Sequence, residues 1–229
     1  MKRPRYDYSG FSLRRIGEPR FSHALLLLGW VGYFALYFIT ENLIPLERCH
    51  VIHCAVDDLI PFREEFVLVY VGWYVYVFGS LAYTFFFHVE GFRKMQTFIM
   101  ITQAVAMACY IIWPSIQLLR PEVFPRDNFL SRVMGFIYGF DTPTGVFPSL
   151  HVAYSLGIVS VALKDKALHP LGKAGMTLFA LLVCASVCFV KQHSFLDVIA
   201  ALPVCLLAEV LVYGKDYWLP VLRRERSVC

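Results

Sequence analysis

Residues 191–197 read KQHSFLD, and they place His193 and Asp197 four positions apart. On a helix that spacing puts both side chains on one face. An aspartate there accepts a hydrogen bond from one ring nitrogen, fixes the tautomer and leaves the other nitrogen as a nucleophile or base. A second imidazole, His151, lies in FPSLHVAYS; with an ordinary pKa near ~6.5 it can protonate a leaving alkoxide at neutral pH. Arg120 in QLLRPE, Lys191 and the Ser149 hydroxyl supply the groups that would bind an anion and stabilise charge on phosphoryl oxygens. Together these residues suggest phosphoryl transfer through a phosphohistidine, a reaction that requires neither metal nor cofactor. Each residue also has a plainer reading. His193 with Asp197 could be an interfacial histidine beside a helix cap, Ser149 a cap, Lys191 a snorkelling lysine, Arg120 an anchor at the end of a span and Asp141 a turn residue.

The surrounding chain decides where these residues meet. Its 229 residues are 58% hydrophobic and 17% charged, whereas a soluble domain needs about a quarter of its residues charged. Uncharged runs of the ~20 residues that a bilayer core demands recur along it. They predict an all-α bundle of six transmembrane helices over about 24–44, 66–88, 95–119, 146–163, 174–190 and 197–218, forming one catalytic membrane domain over 24–218. Basic cytoplasmic tails are expected at 1–23 and 219–229. With the amino terminus inside, fifteen Lys and Arg fall on the inner side and six on the outer. That bias places both termini in the cytoplasm of a multi-pass protein of the cell membrane. The net charge of +4 follows from this bias, so no nucleic-acid partner is implied, and the partners expected are membrane lipid substrates. In this layout Arg120, Ser149, His151, Lys191, His193 and Asp197 converge on the outer ends of spans three to six. The stretch LSRVMGFIYGF, between spans three and four, is amphipathic enough to lie at the interface.

The run of RP at 120–121, then PSLH at 148–151, then a histidine four residues before an aspartate resembles the three-motif signature of the type 2 phosphatidic acid phosphatase superfamily of lipid phosphatases and phosphotransferases. The motifs cover about 118–200, and the six-span layout extends the likeness over the whole chain. The resemblance implies His193 as nucleophile, Asp197 as its orienting partner, His151 as general acid and base, and Arg120 and Ser149 as phosphate ligands. Three positions depart from the pattern: Trp113 stands where a lysine is expected, Leu150 where a glycine is, and Val187 where an arginine is. A phosphomonoester carries nearly two charges near pH 7 and a diester one, so a site short of cations leans toward diesters. FPSLH and QHSFLD, with DTPTGV ahead of them, are similar to the inositol phosphorylceramide synthase branch, which implies a phospholipid headgroup phosphotransferase. The alternatives are a phosphatase releasing inorganic phosphate and a non-catalytic lipid-binding or transport protein.

Other residues invite smaller expectations. Glu209, an acid inside a span, is a candidate for a substrate or proton role. CHVIHC at 49–54 offers a Cys49–Cys54 disulfide, or less plausibly a zinc site, since six consecutive residues rarely supply four tetrahedral ligands. The aromatic run YVGWYVYVF reads as a packing or lipid-facing surface.

Overall fold

The computed structural model describes residues 5–221, and its architecture is all-α apart from one short strand pair. Residues 1–4 and 222–229, which carry parts of both expected tails, lie outside the described residues. The helices are α1 (Leu28–Leu43), α2 (Ala55–Leu59), α3 (Val67–Phe87), α4 (Val89–Ile112), α5 (Phe129–Phe140), α6 (Leu150–Lys164), α7 (Pro170–Phe189) and α8 (Phe195–Tyr213). Five stretches are long and apolar enough to cross a bilayer: Ser22–Leu43, Glu64–Phe87, Val89–Ile112, Pro170–Phe189 and Phe195–Val221. This is the pattern of a multi-pass membrane protein. Large side chains such as Phe38 on α1, Val75 on α3 and Leu211 on α8 are exposed, as expected where a lipid tail rather than water is the neighbour.

Helix ends follow local chemistry. Pro114 disfavours a helical conformation at the residue before it, and Trp113 accordingly leaves the helix at φ −135°, ψ 71°. The third span expected over 95–119 is therefore shifted: α4 starts at Val89 and stops at Ile112, and Arg120 sits at a bend in the irregular connection beyond it. His88 alone separates α3 from α4. α5 starts at Asn128, whose side chain accepts from the Ser131 N–H, and Pro170 takes the first position of α7, where its missing N–H costs nothing.

The fourth expected span, 146–163, is shorter than foreseen. α6 has 15 residues, and ten of them are buried. It runs inside the bundle, packed on α3, α4, α7 and α8, so its apolar character is that of a core element. Tyr154 and Ile158 from α6 join Trp73, Phe98 and Tyr110 in the main apolar cluster. Gly157 permits the close approach of α4, because a Cβ there would stand 2.7 Å from the Phe98 ring. Gly157→Ala is expected to lower stability by about 1–3 kcal/mol, read as a lower midpoint in thermal unfolding in detergent.

At one end of the bundle three connections are knitted together. Strand β1 (His50–Val51) pairs in parallel with β2 (Ser115–Ile116), and Ile116 bridges to Thr144. Gly145, at φ +59°, donates its N–H to the Ser115 carbonyl, a left-handed conformation that suits glycine. At the other end, the described part of the expected amino-terminal tail is folded against the bundle. The Tyr8 hydroxyl donates to the Phe85 carbonyl, and Phe21 and His23 are fully buried, because an aromatic cluster of Tyr8, Phe21, His23 and Phe85 outweighs solvation of the neighbouring arginines.

Candidate active site

The site begins at the first turn of α8. Ser194 caps the helix, and the Asp197 carboxylate reaches back to accept the Ser194 N–H at 2.9 Å, which is a capping box. The same oxygen, Oδ2, lies 3.1 Å from Nδ1 of His193. Asp197 thus caps the start of the helix and orients the imidazole with one atom. The preceding turn is tight: Lys191 has φ +53°, and the Gln192 and His193 N–H groups both donate to the Val187 carbonyl at the end of α7. This turn aims the His193 ring at the start of α6.

His151 stands on that first turn of α6, with its Nδ1 3.3 Å from Nε2 of His193. The Ser149 N–H donates to the Asp197 carbonyl at 3.1 Å, locking the two helix starts together, so that the positive ends of two helix dipoles converge. The His151 ring packs 4.2 Å from Trp73 and 4.9 Å from Tyr70, centroid to centroid, and Trp73 donates its indole N–H to the His151 carbonyl. Asp197, His193 and His151 therefore form one continuous chain of hydrogen bonds. With Nδ1–H of His193 on the carboxylate, its Nε2 lone pair faces Nδ1–H of His151. Nε2 of His151 is then left bare, and among the described residues it has no hydrogen-bond partner.

The pair opens into a cavity of about 460 Å³ bounded by α1, α3 and α5, where Tyr33, Phe34, Tyr74, Phe78, Phe136 and Phe140 contribute aromatic surface. A volume of this size holds a ligand-sized molecule, and apolar walls around a few polar groups are the usual make-up of such sites.

No family model, curated protein or solved structure matches the chain. The site is therefore read from its own chemistry.

The three groups expected to bind phosphate stand outside the cavity wall. Arg120 donates from Nη1 to the Tyr138 and Asp141 carbonyls and from Nη2 to Oε1 of Gln192 at 2.6 Å, with its guanidinium 4.6 Å from the Tyr138 ring. It buttresses Gln192, which does line the cavity, and burial holds its pKa below the usual range for arginine. Lys191 is buried, and its ammonium donates to the Asp57 carbonyl at 2.8 Å, so the left-handed turn carries it toward the connection after α1. Ser149 is fully buried, and its hydroxyl finds no partner among the described residues.

Two acids contribute where a reading of the sequence assigned little. Asp57, in α2, accepts from Ser194 Oγ at 2.6 Å, from the Phe195 N–H at 2.7 Å and from the Cys54 N–H at 2.8 Å. Burial raises the pKa of its carboxyl, yet these donors outweigh burial and hold it below the ordinary range. Asp141 lies on the cavity wall and accepts from Gln192 Nε2 at 3.1 Å, from Tyr37 at 3.4 Å and from Tyr70 at 3.5 Å. The motif KQHSFLD contains Gln192 in plain sight. Nothing local marks Asp57, which acts on α8 across a sequence separation of 137 residues.

The smaller expectations resolve differently. Glu209 is bound by Lys164 at 2.6 Å, Ser160 at 2.5 Å and the Trp218 indole at 2.7 Å, an ion pair toward the far end of α6. Cys49 and Cys54 are free thiols. The His50 ring stacks on Trp113 and His53 pairs with Asp58, so the residues of CHVIHC point to separate partners.

Proposed function

We propose that the chain is an integral membrane enzyme that moves phosphoryl groups of lipid phosphate esters through a phosphohistidine on His193. The observation that carries this reading is the unbroken Asp197–His193–His151 relay at the edge of an aromatic cavity bounded by apolar helices. A base oriented by a carboxylate, with a second proton donor beside it, is the constellation that nucleophilic catalysis requires. The resemblance of the motifs to the type 2 phosphatidic acid phosphatase superfamily supports the same assignment. In this reading α6 is the fourth of six crossings, both termini are cytoplasmic and the cavity opens at the outer face of the cell membrane.

In the first half-reaction, Nε2 of His193 attacks phosphorus and forms a P–N bond. The bond from phosphorus to the leaving oxygen breaks, and that alkoxide takes a proton from His151, which enters the step as the imidazolium, protonated on both ring nitrogens, and leaves it neutral. In the second half, His151 removes the proton of an acceptor hydroxyl, whose oxygen attacks phosphorus and releases His193. Asp197 stabilises the imidazolium character that develops on His193 and keeps its tautomer. The positive end of the α6 dipole favours negative charge on the phosphoryl oxygens.

Transfer to a lipid or alcohol acceptor is favoured over hydrolysis. Among the described residues, no lysine or arginine lines the cavity, so a phosphodiester with its single charge suits it better than a dianionic monoester. The test is product analysis by mass spectrometry. Purified protein is given mixed phospholipids and lipid phosphomonoesters, with diacylglycerol, ceramide and inositol as acceptors. A new phosphodiester with little free phosphate is the expected result. Inorganic phosphate as the main product would establish a phosphatase, and no product at all would leave a binding or transport protein.

A further inference from the structure

The charge inventory of the cavity says more than that it avoids dianions. Of the described residues that line it, Asp141 is the one carboxylate, and none is a lysine or arginine. Three donors, Gln192 Nε2 and the hydroxyls of Tyr37 and Tyr70, turn toward Asp141, an arrangement that fits an ionised acceptor. Two of those contacts are long, at 3.4 and 3.5 Å, where a well-formed O–H···O bond is nearer to ~2.7 Å. A carboxylate has about four lone-pair positions, so this one retains acceptor capacity. The donors around it, by contrast, are already engaged: Gln192 has its Nε2 on Asp141 and its Oε1 on Arg120. A polyol would need both donors and acceptors from the wall here. A cation needs only the acceptor and the faces of aromatic rings, which attract positive charge.

We infer that Asp141, with the aromatic walls of the cavity around it, forms an ammonium subsite beside the histidine pair, so that the lipid the cavity selects is a zwitterionic phosphodiester. The inference rests on the proposed function for its phosphate position. The ammonium would lie at Asp141 and the phosphate at His193, the neighbour of Gln192 in the chain, with the acyl chains along the aromatic walls. Asp141 is a specificity residue in this scheme and makes no bond to the reacting atoms.

Binding can be read without turnover. The full chain carrying His193→Ala, in detergent, is mixed with equimolar dioleoyl phosphatidylcholine, phosphatidylethanolamine, phosphatidylinositol and phosphatidic acid, and the bound lipid is ranked by native mass spectrometry. The two zwitterionic lipids are expected to lead, by about tenfold over phosphatidic acid, as one charge-assisted contact allows. The choline and ethanolamine arms separate a ring-dominated cage from a carboxylate-dominated one, and either leading supports the subsite. Asp141→Asn should erase the preference and Asp141→Glu should retain it. Phosphatidylinositol or phosphatidic acid bound as well as the zwitterions would overturn the inference, even if Asp141→Asn failed to fold. So would an unchanged ranking in Asp141→Asn. Turnover persisting in His193→Ala would overturn the catalytic reading and leave the binding ranking to stand on its own.

Discussion

Replacing His193 by alanine is expected to take phosphoryl transfer to the uncatalysed background while the protein remains folded in detergent. The side chain is nearly buried, but among the described residues its ring nitrogens bond only to Asp197 and His151, and the turn that carries it is held by main-chain bonds to Val187. Losing the ring therefore removes the nucleophile and leaves the scaffold in place. Wild-type protein exposed to labelled donor should carry phosphate with the acid lability and alkali stability of a phosphoramidate, and the His193→Ala protein should carry none. His151→Ala should be milder in the first half-reaction, by about 10²–10⁴-fold, the usual worth of a positioned general acid, and it should let the phosphoenzyme accumulate because the acceptor lacks its base. Labelling that persists in His193→Ala would move the nucleophile elsewhere.

Asp57→Ala is expected to be the most damaging change outside the relay. It strips acceptors from the Phe195 and Cys54 N–H groups and from the Ser194 hydroxyl at once. Leaving buried donors unsatisfied costs about 1–3 kcal/mol apiece, so a loss of about 3 kcal/mol overall is a conservative expectation. Because the start of α8 then frays beside His193, kcat should fall by about 100-fold, with KM changing little. The carboxyl is held below its ordinary range in the folded protein, and this gives the pH dependence its sign. A depressed folded pKa means that the stabilisation is fully present above the unfolded value of about 3.9 and is lost as pH falls through the folded value. Unfolding midpoints of wild type should therefore drop below about pH 4, and those of Asp57→Asn, already lower at neutral pH, should drop less. Parallel curves for the two proteins would show that Asp57 carries no such linkage.

The parts of this site that were legible in the sequence are those written at helical spacing or in short motifs. His193 and Asp197 share a face because they are four apart, and His151 joins them because two helices start at the same end of the bundle. Where the chain leaves regular structure, legibility fails for identifiable reasons. Lys191 was expected on phosphate, but its positive φ sends it to the Asp57 carbonyl. Arg120 was expected at the end of a helix, but Pro114 ends α4 at Ile112, eight residues before Arg120, and the guanidinium arrives behind Gln192. Asp141 reads as a turn residue until β2 and the Thr144 bridge fold its loop against α3. The six-span expectation is blurred by α6, whose apolar sequence answers to the interior of the bundle and falls short of the length found in the other five.

The 3.3 Å contact between His193 and His151 has a kinetic meaning. A phosphoryl group poised for in-line transfer needs about 3 Å from nucleophile to phosphorus and about 3 Å more from the leaving oxygen to its proton donor. The two nitrogens must therefore part by several ångströms before reaction. Under the proposed function the resting protein is latched: water, too small to wedge the rings apart and hold them there, would meet a nucleophile already engaged, while a lipid anchored along the cavity walls would have the contact area to drive the separation. Breaking one such hydrogen bond takes about 1 kcal/mol, a penalty of roughly fivefold in apparent affinity, and in return the imidazole is kept out of idle chemistry between turnovers.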